Sequence, residues 1–378
     1  DVLLDGQVRP VHFLIFLAIA LLTAIRTLQS ALFQALLLVR ETLRIRFLSS
    51  LVQLLLIIVL VWMFGLTGFF VSIAIGLSIA ALSAWAIIRS VTKIRYVRPR
   101  PRSVEGNKLL QFGTLNFALL ILAIASENVQ RITVAQKLGI DEVGLMVAGL
   151  QIVMYLDVAN RSALFYWLPK FSSTPDSDQI RAGYSEFSHF NLYLGIPAVW
   201  GGIIFGGSII RILLGKEFSP LTDSFHLFMI WQFITLIHNP PATAIIALGR
   251  LRSHAVATVL SGVAVPLSLF LLTDRMGFSA IGIALIIGAV MGWLPRMLYL
   301  GYSDGLWGDR RTWLLVAVGF VGIIVSLLMR EQSSWIQIVT WMLMATSTIG
   351  FATKSERSQL IESVTFGRLG KWAPRSRD

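Results

Sequence analysis

The chain has 378 residues, of which 56% are hydrophobic and only 14% charged, and its mean hydropathy is +0.75. Soluble proteins carry about 25% charged residues, so this composition excludes a soluble enzyme and a disordered chain. The lack of cysteine excludes a disulfide-stabilised secreted domain. The composition is that of a polytopic membrane protein. The net charge of +12 does not indicate nucleic-acid binding, because the lysines and arginines lie between hydrophobic runs.

Eleven apolar runs are long enough to be transmembrane helices, because a helix needs about 20 apolar residues to cross the hydrocarbon core. They cover approximately residues 11–38, 47–65, 69–88, 109–133, 144–167, 189–210, 223–247, 254–273, 278–301, 313–329 and 335–352. Only Gly65-Leu66-Thr67-Gly68 separates the second run from the third, which predicts a tight turn. We therefore expect an all-α integral membrane protein with about eleven transmembrane helices.

Lys and Arg are concentrated in alternate loops, with 22 of the 32 on one side and 6 on the other. Positively charged loops stay in the cytoplasm, so the C-terminus is expected there and the start of this sequence outside. We expect a multi-pass protein of the cell inner (plasma) membrane. A bacterial-type transporter normally begins on the cytoplasmic side. An external start therefore predicts an odd number of spans before Asp1, and we expect three.

The charge pattern also predicts a division into two lobes. Residues 89–108 carry seven cations and two prolines, which indicates a basic cytoplasmic linker. Residues 1–88 would form a partial N-lobe of three spans, residues 109–352 a C-lobe of eight spans, and residues 353–378 a basic cytoplasmic tail. These basic clusters fit membrane topology and contact with anionic lipid better than nucleic-acid binding.

Ionisable side chains within the membrane are costly and therefore indicate functional sites. Arg26 lies near the centre of the first span and shares one helical face with Thr23, Ser30 and Gln34. This polar face is predicted to line an aqueous cavity or to contact a partner helix. The alternative is a buried arginine that pairs with an acid for packing alone.

The fourth and fifth spans each carry an acid and an arginine spaced i,i+4, with an asparagine on nearly the same face. These residues are Glu127, Arg131 and Asn116 in the fourth span, and Asp157, Arg161 and Asn160 in the fifth. Such pairs neutralise each other within one helix, which lowers the cost of keeping charge in a transport cavity. A purely structural role that holds helices together is the alternative.

Two further features lie in later spans. Arg296 is near the predicted cytoplasmic end of its span, where snorkelling to the headgroups explains it. His238 precedes Pro240 and Pro241, which remove two backbone donors and predict a kink or a broken helix, serving either as a gate or for packing. Motifs for phosphate-binding loops, zinc proteases and serine hydrolases are absent from the sequence. We therefore expect neither enzyme activity nor a metal or cofactor.

Several segments together resemble a known transporter family. They are Leu109-Leu110-Gln111-Phe112-Gly113, Glu127, Leu138-Gly139, Glu142-Val143-Gly144 and Leu168-Pro169-Lys170-Phe171-Ser172, together with the first span running into Arg40-Glu41-Thr42-Leu43-Arg44. They resemble polysaccharide-export flippases of the O-antigen and teichoic-acid type, in the multidrug/oligosaccharidyl-lipid/polysaccharide exporter superfamily. The resemblance covers nearly the whole chain as helices four to fourteen, so the flippase-like fold would lack its first three helices.

The resemblance implies a transporter for polysaccharide biosynthesis. It would flip an undecaprenyl-pyrophosphate-linked oligosaccharide from the cytoplasmic to the outer leaflet by alternating access through a cationic cavity. Guanidinium groups pair with phosphate oxygens in a bidentate manner, so Arg26, Arg131 and Arg161 are candidate substrate-binding residues. Glu127 and Asp157 are candidates for proton coupling or for tuning these cations. We expect a monomer whose partners are membrane lipid, the lipid-linked glycan, and glycan polymerase or ligase machinery.

Three other functions compete with this one. A multidrug or cation antiporter of the same superfamily should have an acidic cavity, whereas the predicted spans hold four arginines against two acids. A membrane-embedded glycan ligase or polymerase is disfavoured by the short external loops. A scaffold subunit would depend on the basic tail after Thr353.

Overall fold

The computed structural model describes residues 10–35, 39–91, 104–156, 167–168, 170–172, 177–350 and 352. Within these residues the chain forms ten α-helices and one short 3-10 helix. The α-helices are α1 (Pro10–Ala35), α2 (Val39–Val91), α3 (Val104–Lys137), α4 (Ile140–Leu156), α5 (Ser177–Leu213), α6 (Leu221–Ala247), α7 (Leu251–Met276), α8 (Ser279–Asp304), α9 (Arg310–Met329) and α10 (Ser334–Gly350). The 3-10 helix, Lys216–Phe218, lies between α5 and α6.

Over the residues that the structure describes, each predicted span overlaps one of these helices or one arm of α2, so the all-α membrane fold is confirmed. Among the described residues, seven helical segments are long and apolar enough to cross a membrane. They are Phe47–Gly65, Thr67–Ser90, Gly113–Lys137, Gln179–Leu213, Leu251–Met276, Ser279–Asp304 and Arg310–Met329. Large apolar side chains such as Trp62 and Leu328 are exposed on these segments, which suits lipid and not water. The chain is therefore a multi-pass membrane protein.

A sharp break at Gly65 divides α2 into two arms. Gly65 has φ 56° and ψ −132°, a backbone conformation that residues with a Cβ rarely adopt. Beyond the break the second arm returns alongside the first, because Gly76 packs on Gln53 and Gly68 approaches Leu60. A Cβ on Gly68 would lie only 1.8 Å from the Leu60 carbonyl oxygen. The glycines predicted to form a tight turn do so.

The chain forms two compact units. Unit 1 comprises residues 1–99 and 365–378, and unit 2 comprises residues 100–364. In unit 1, α1 packs against α2, and the Gln29 side-chain amide donates a hydrogen bond to the Ala81 carbonyl oxygen at 3.0 Å. This contact joins the C-terminal third of α1 to the second arm of α2.

Helix α5 lies in the core of unit 2, packed against α6, α9 and α10. The fully buried Trp200 rests on Gly322 of α9 and donates its indole N–H to the Gly319 carbonyl oxygen at 3.2 Å. A Cβ on Gly322 would lie 2.1 Å from the Trp200 ring. On α10, Trp341 donates its indole N–H to the Pro197 carbonyl oxygen at 2.9 Å. Small residues thus allow aromatic rings to approach neighbouring helix backbones, as is common in membrane bundles.

Alternate helix connections meet at the same end of unit 2. Lys137, at the end of α3, donates to the Asp274 carboxylate at 2.7 Å, which links the α3–α4 and α7–α8 connections. Arg330, at the end of α9, donates to the Thr222 carbonyl oxygen at 2.8 Å, which links the α9–α10 and α5–α6 connections. This arrangement is expected when successive helices cross a membrane in opposite directions.

The start of α9 is capped by Asp309. Its carboxylate accepts a hydrogen bond from the Thr312 backbone N–H at 2.8 Å and lies 3.1 Å from the His189 ring Nε2. Partial burial raises the pKa of Asp309, but the hydrogen bonds from Thr312 and the contact with His189 outweigh burial and hold the pKa below its ordinary value. The cap therefore favours the ionised carboxylate.

Candidate functional site

Arg26 lies within α1 of unit 1 and is half-buried. It makes no ion pair with any acid that the structure describes. Thr23, one turn earlier, directs its hydroxyl to the Ile19 carbonyl oxygen of its own helix at 2.7 Å. Gln34 belongs to the same helix, but its side chain lies outside the described atoms. The cavity role of Arg26 and Gln34 stays a prediction.

The charged pair of the fourth predicted span lies on the exposed face of α3. Arg131 Nη2 is 3.7 Å from Glu127 Oε2, and the two side chains are 51% and 66% exposed. Asn116 lies three turns earlier on α3 and is half-buried. The adjacent side of the helix, which includes Gln130 and Val134, is buried against the rest of unit 2. The i,i+4 geometry is present, and the role of these residues in binding or tuning stays a prediction.

The charged pair of the fifth predicted span cannot be placed in the same way. Asp157, Asn160 and Arg161 follow the end of α4 at Leu156 and lie outside the described residues. Their assignment to a substrate cavity rests on the sequence. It therefore stays a prediction.

Helix α6 continues through both prolines to Ala247, so it is not broken at His238. Pro240 and Pro241 are buried, and neither has an N–H to donate to the preceding turn. One turn beyond, Thr243 directs its hydroxyl to the Asn239 carbonyl oxygen at 2.8 Å. A gating role for this segment stays a prediction.

Arg296 is the main finding that the sequence did not predict. Its side chain is only 4% exposed, so the snorkelling interpretation is wrong. The guanidinium donates to His238 Nε2 at 3.0 Å, to the Thr258 hydroxyl at 2.7 Å and to the Gly292 carbonyl oxygen at 2.9 Å. These bonds join α6, α7 and α8. Hydrogen-bond acceptors on α6 and α7 replace those of the headgroup region and hold the side chain in the interior.

The partners of Arg296 are all neutral acceptors. Because His238 accepts at Nε2, a neutral ring carries its proton on Nδ1, and that atom is buried without a partner among the described residues. The His254 Nδ1 and the Arg296 Nε are also buried without a described partner. A buried cation held only by neutral groups is costly to keep in a membrane protein. The contact between α6, α7 and α8 should therefore lose stability when any acceptor of Arg296 is removed.

A cavity lined in part by Trp293 and Met297, which neighbour Arg296 on α8, is too small for a sugar. It has a volume of about 20 Å³ and is lined mainly by aromatic and apolar side chains, including Tyr184, Pro240, Trp293 and Trp307. This volume accommodates about one water molecule. This cavity is therefore not a glycan site, and the described contacts of Arg296 are those of helix packing.

A sequence profile for a family described as "Polysaccharide biosynthesis protein" matches residues 6–223, which is more than half of the chain. The chain belongs to this family. The matched region runs from α1 to the first turn of α6 and contains Arg26, Glu127 and Arg131. Arg296 lies outside it. The resemblance to polysaccharide flippases expected from the sequence is confirmed at the level of the family.

The fold of this family member is similar to a solved structure described as "Lipid II flippase MurJ, inward closed conformation". The TM-score is 0.57 with 16% sequence identity, over 84% of this chain and 68% of that chain. At this identity the similarity concerns the fold. No curated protein matches the chain. The chain is thus a polysaccharide biosynthesis family member with a flippase-like helical fold.

Proposed function

We propose that this protein is a transporter that flips an undecaprenyl-pyrophosphate-linked oligosaccharide from the cytoplasmic to the outer leaflet of the plasma membrane. The C-terminus lies in the cytoplasm, and transport proceeds by alternating access between two lobes. The observation that carries the proposal is the family match over residues 6–223. The likeness in fold to a lipid flippase supports the same conclusion.

The charges within the predicted spans support an anionic cargo. Four arginines lie there against Glu127 and Asp157, and three of those arginines, Arg26, Arg131 and Arg161, fall within the matched region. In the proposed mechanism these three bind the pyrophosphate, because a guanidinium pairs with two phosphate oxygens at once. The two acids reduce the cost of keeping the cations in the membrane between transport cycles.

The decisive experiment replaces Arg26 by alanine in the full chain. Proteoliposomes carry an undecaprenyl-pyrophosphate-linked oligosaccharide, and an added glycosidase reports how much glycan reaches the outer leaflet. We expect Arg26→Ala to abolish transfer while membrane insertion stays normal. The matched control is Thr27→Ala on the same helix, whose hydroxyl contacts only the Thr23 carbonyl oxygen in the described structure. Normal transfer by Arg26→Ala would refute the binding role.

A second variant separates geometry from charge. Arg161→Lys keeps the positive charge but loses the planar fork that binds phosphate, so we expect transfer to fall well below the wild-type rate. Equal rates would leave only a nonspecific charge effect. Efflux of a cationic dye with no glycan transfer by the wild-type protein would instead identify a cation antiporter.

A further inference from the structure

An open cleft lies where α5 is connected to α6. It has a volume of about 350 Å³ and is lined by Gly207, Ile210, Arg211, Lys216, Ser219 and Thr222. There is little free space at Gly207, because a Cβ there would lie 3.0 Å from the Thr222 methyl group. The volume falls within the range of small-ligand sites. The residues that line the cleft include none of the arginines of the proposed transport pathway and no member of the Arg296 cluster.

Both cations of the cleft are available. Arg211 and Lys216 are exposed, and neither pairs with an acid that the structure describes. Asp223, the acid at the start of α6, is instead 3.6 Å from Arg330. Glu217 follows Lys216 in the chain but does not line the cleft. The lining of the cleft is therefore cationic, and its counter-ion has to come from outside the described residues.

The cleft belongs to the surface zone of the membrane. It lies in the short connection between α5, which is long and apolar enough to cross a membrane, and α6, which covers the predicted span 223–247, so it is near the end of both helices. Ile212 and Leu213 directly follow Arg211 and are 81% and 62% exposed. Exposed apolar side chains next to cations match the boundary between acyl chains and headgroups. A ligand with both a charged head and an apolar tail suits this position better than a free ion.

The polar groups of the cleft select the chemistry of that head. Arg211 offers a planar fork, Lys216 an ammonium group, and Ser219 and Thr222 two hydroxyl donors. Phosphate oxygens accept from all of these groups. We propose that this cleft binds the phosphate group of a membrane-lipid headgroup. The proposal goes beyond transport and holds whether or not the chain flips a glycan lipid.

The test measures lipid binding to the full chain in micelles. The probes are phosphatidylglycerol, undecaprenyl diphosphate and inorganic diphosphate, with affinity read from native mass spectrometry or thermophoresis. The variant is Arg211→Gln with Lys216→Gln. The charge-matched control is Arg252→Gln with Arg275→Gln, two exposed cations outside the cleft. A swap variant, Arg211→Lys with Lys216→Arg, keeps both charges in place.

We expect lipid binding to weaken about 25-fold in the cleft variant, since each of the two cations near an anionic headgroup contributes about fivefold. The control and the swap variant should bind nearly as well as the wild type. Loss confined to phosphatidylglycerol would identify a resident phospholipid as the ligand, and loss confined to undecaprenyl diphosphate would identify a carrier lipid. Equal binding by the cleft variant and the wild type, or an equal loss in the control, would overturn the proposal. Binding of inorganic diphosphate as tight as that of either lipid would overturn its lipid part.

Discussion

Replacing His238 should destabilise unit 2 more than replacing Arg296, the residue that carries the charge. His238→Leu removes one acceptor and leaves the guanidinium buried with only Thr258 and its own helix as partners. Truncating one partner of a buried charged hydrogen bond costs about 2–5 kcal/mol, much of it from the charge left behind. We expect His238→Leu to lower the free energy of unfolding by about 3 kcal/mol.

Arg296→Met removes the charge together with its bonds. Two interhelical hydrogen bonds to a charged group contribute about 1.5–3 kcal/mol each. Against this loss, the membrane no longer has to accommodate a buried arginine, which costs about 2.5–3.5 kcal/mol on the mildest scale. The net loss for Arg296→Met is therefore about 1.5 kcal/mol. The double variant should be no less stable than His238→Leu alone, because the stranded charge is gone.

Equilibrium unfolding in mixed micelles, titrated with SDS, measures these differences. Thr235→Val is the control, since the Thr235 hydroxyl bonds only to the Trp231 carbonyl oxygen of its own helix in the described structure. This control should change stability by less than about 0.5 kcal/mol. A larger loss in Arg296→Met than in His238→Leu, with additive effects in the double variant, would refute the reasoning.

Three further predictions use the same titration. Gly322→Ala should lower the free energy of unfolding by about 1–3 kcal/mol, because the added methyl group would overlap the Trp200 ring. Gly144→Ala, with open space around it, should raise the free energy of unfolding by up to about 1 kcal/mol. Equal effects of the two variants would contradict the packing argument. Gly65→Ala should cost about 1–3 kcal/mol from backbone strain alone, since nothing lies within 4 Å of the added methyl, and an unchanged midpoint would contradict this. The pKa of Asp309 is lower in the folded protein than its ordinary value of 3.8, so its stabilisation is present above that pH and is lost as pH falls through the lowered value. Asp309→Asn should flatten stability against pH in that acid range, and an unaltered slope there would count against the cap.

Features that depend on neighbouring residues in the chain were predictable. The apolar runs predicted the helices, the closely spaced glycines predicted the break at Gly65, and the spacing of Glu127 and Arg131 predicted their ion pair. Each of these follows from helix length, backbone freedom or the 3.6-residue period. The sequence alone is enough for such features because no contact between distant helices is involved.

Features that depend on which helix faces meet were not predictable in this way. The position of Arg296 near the end of its span suggested an outward side chain, but acceptors on two other helices hold it inside. The spacing of His254 and Thr258, four residues apart on α7, marked a polar face without indicating its partner. The same limit applies to Trp200, whose fit against Gly322 depends on the packing of α5 and α9.

The indole hydrogen bonds of Trp200 and Trp341 restrict how the helices of unit 2 can slide. The Trp200 bond fixes the axial position of α9 relative to α5, and the Trp341 bond fixes the axial position of α10 relative to α5. A shift of either helix by one turn, about 5.4 Å, would separate an indole N–H from its carbonyl acceptor. Helices α5, α9 and α10 should therefore move as one rigid body during any conformational cycle, and other parts of the chain should change position relative to them.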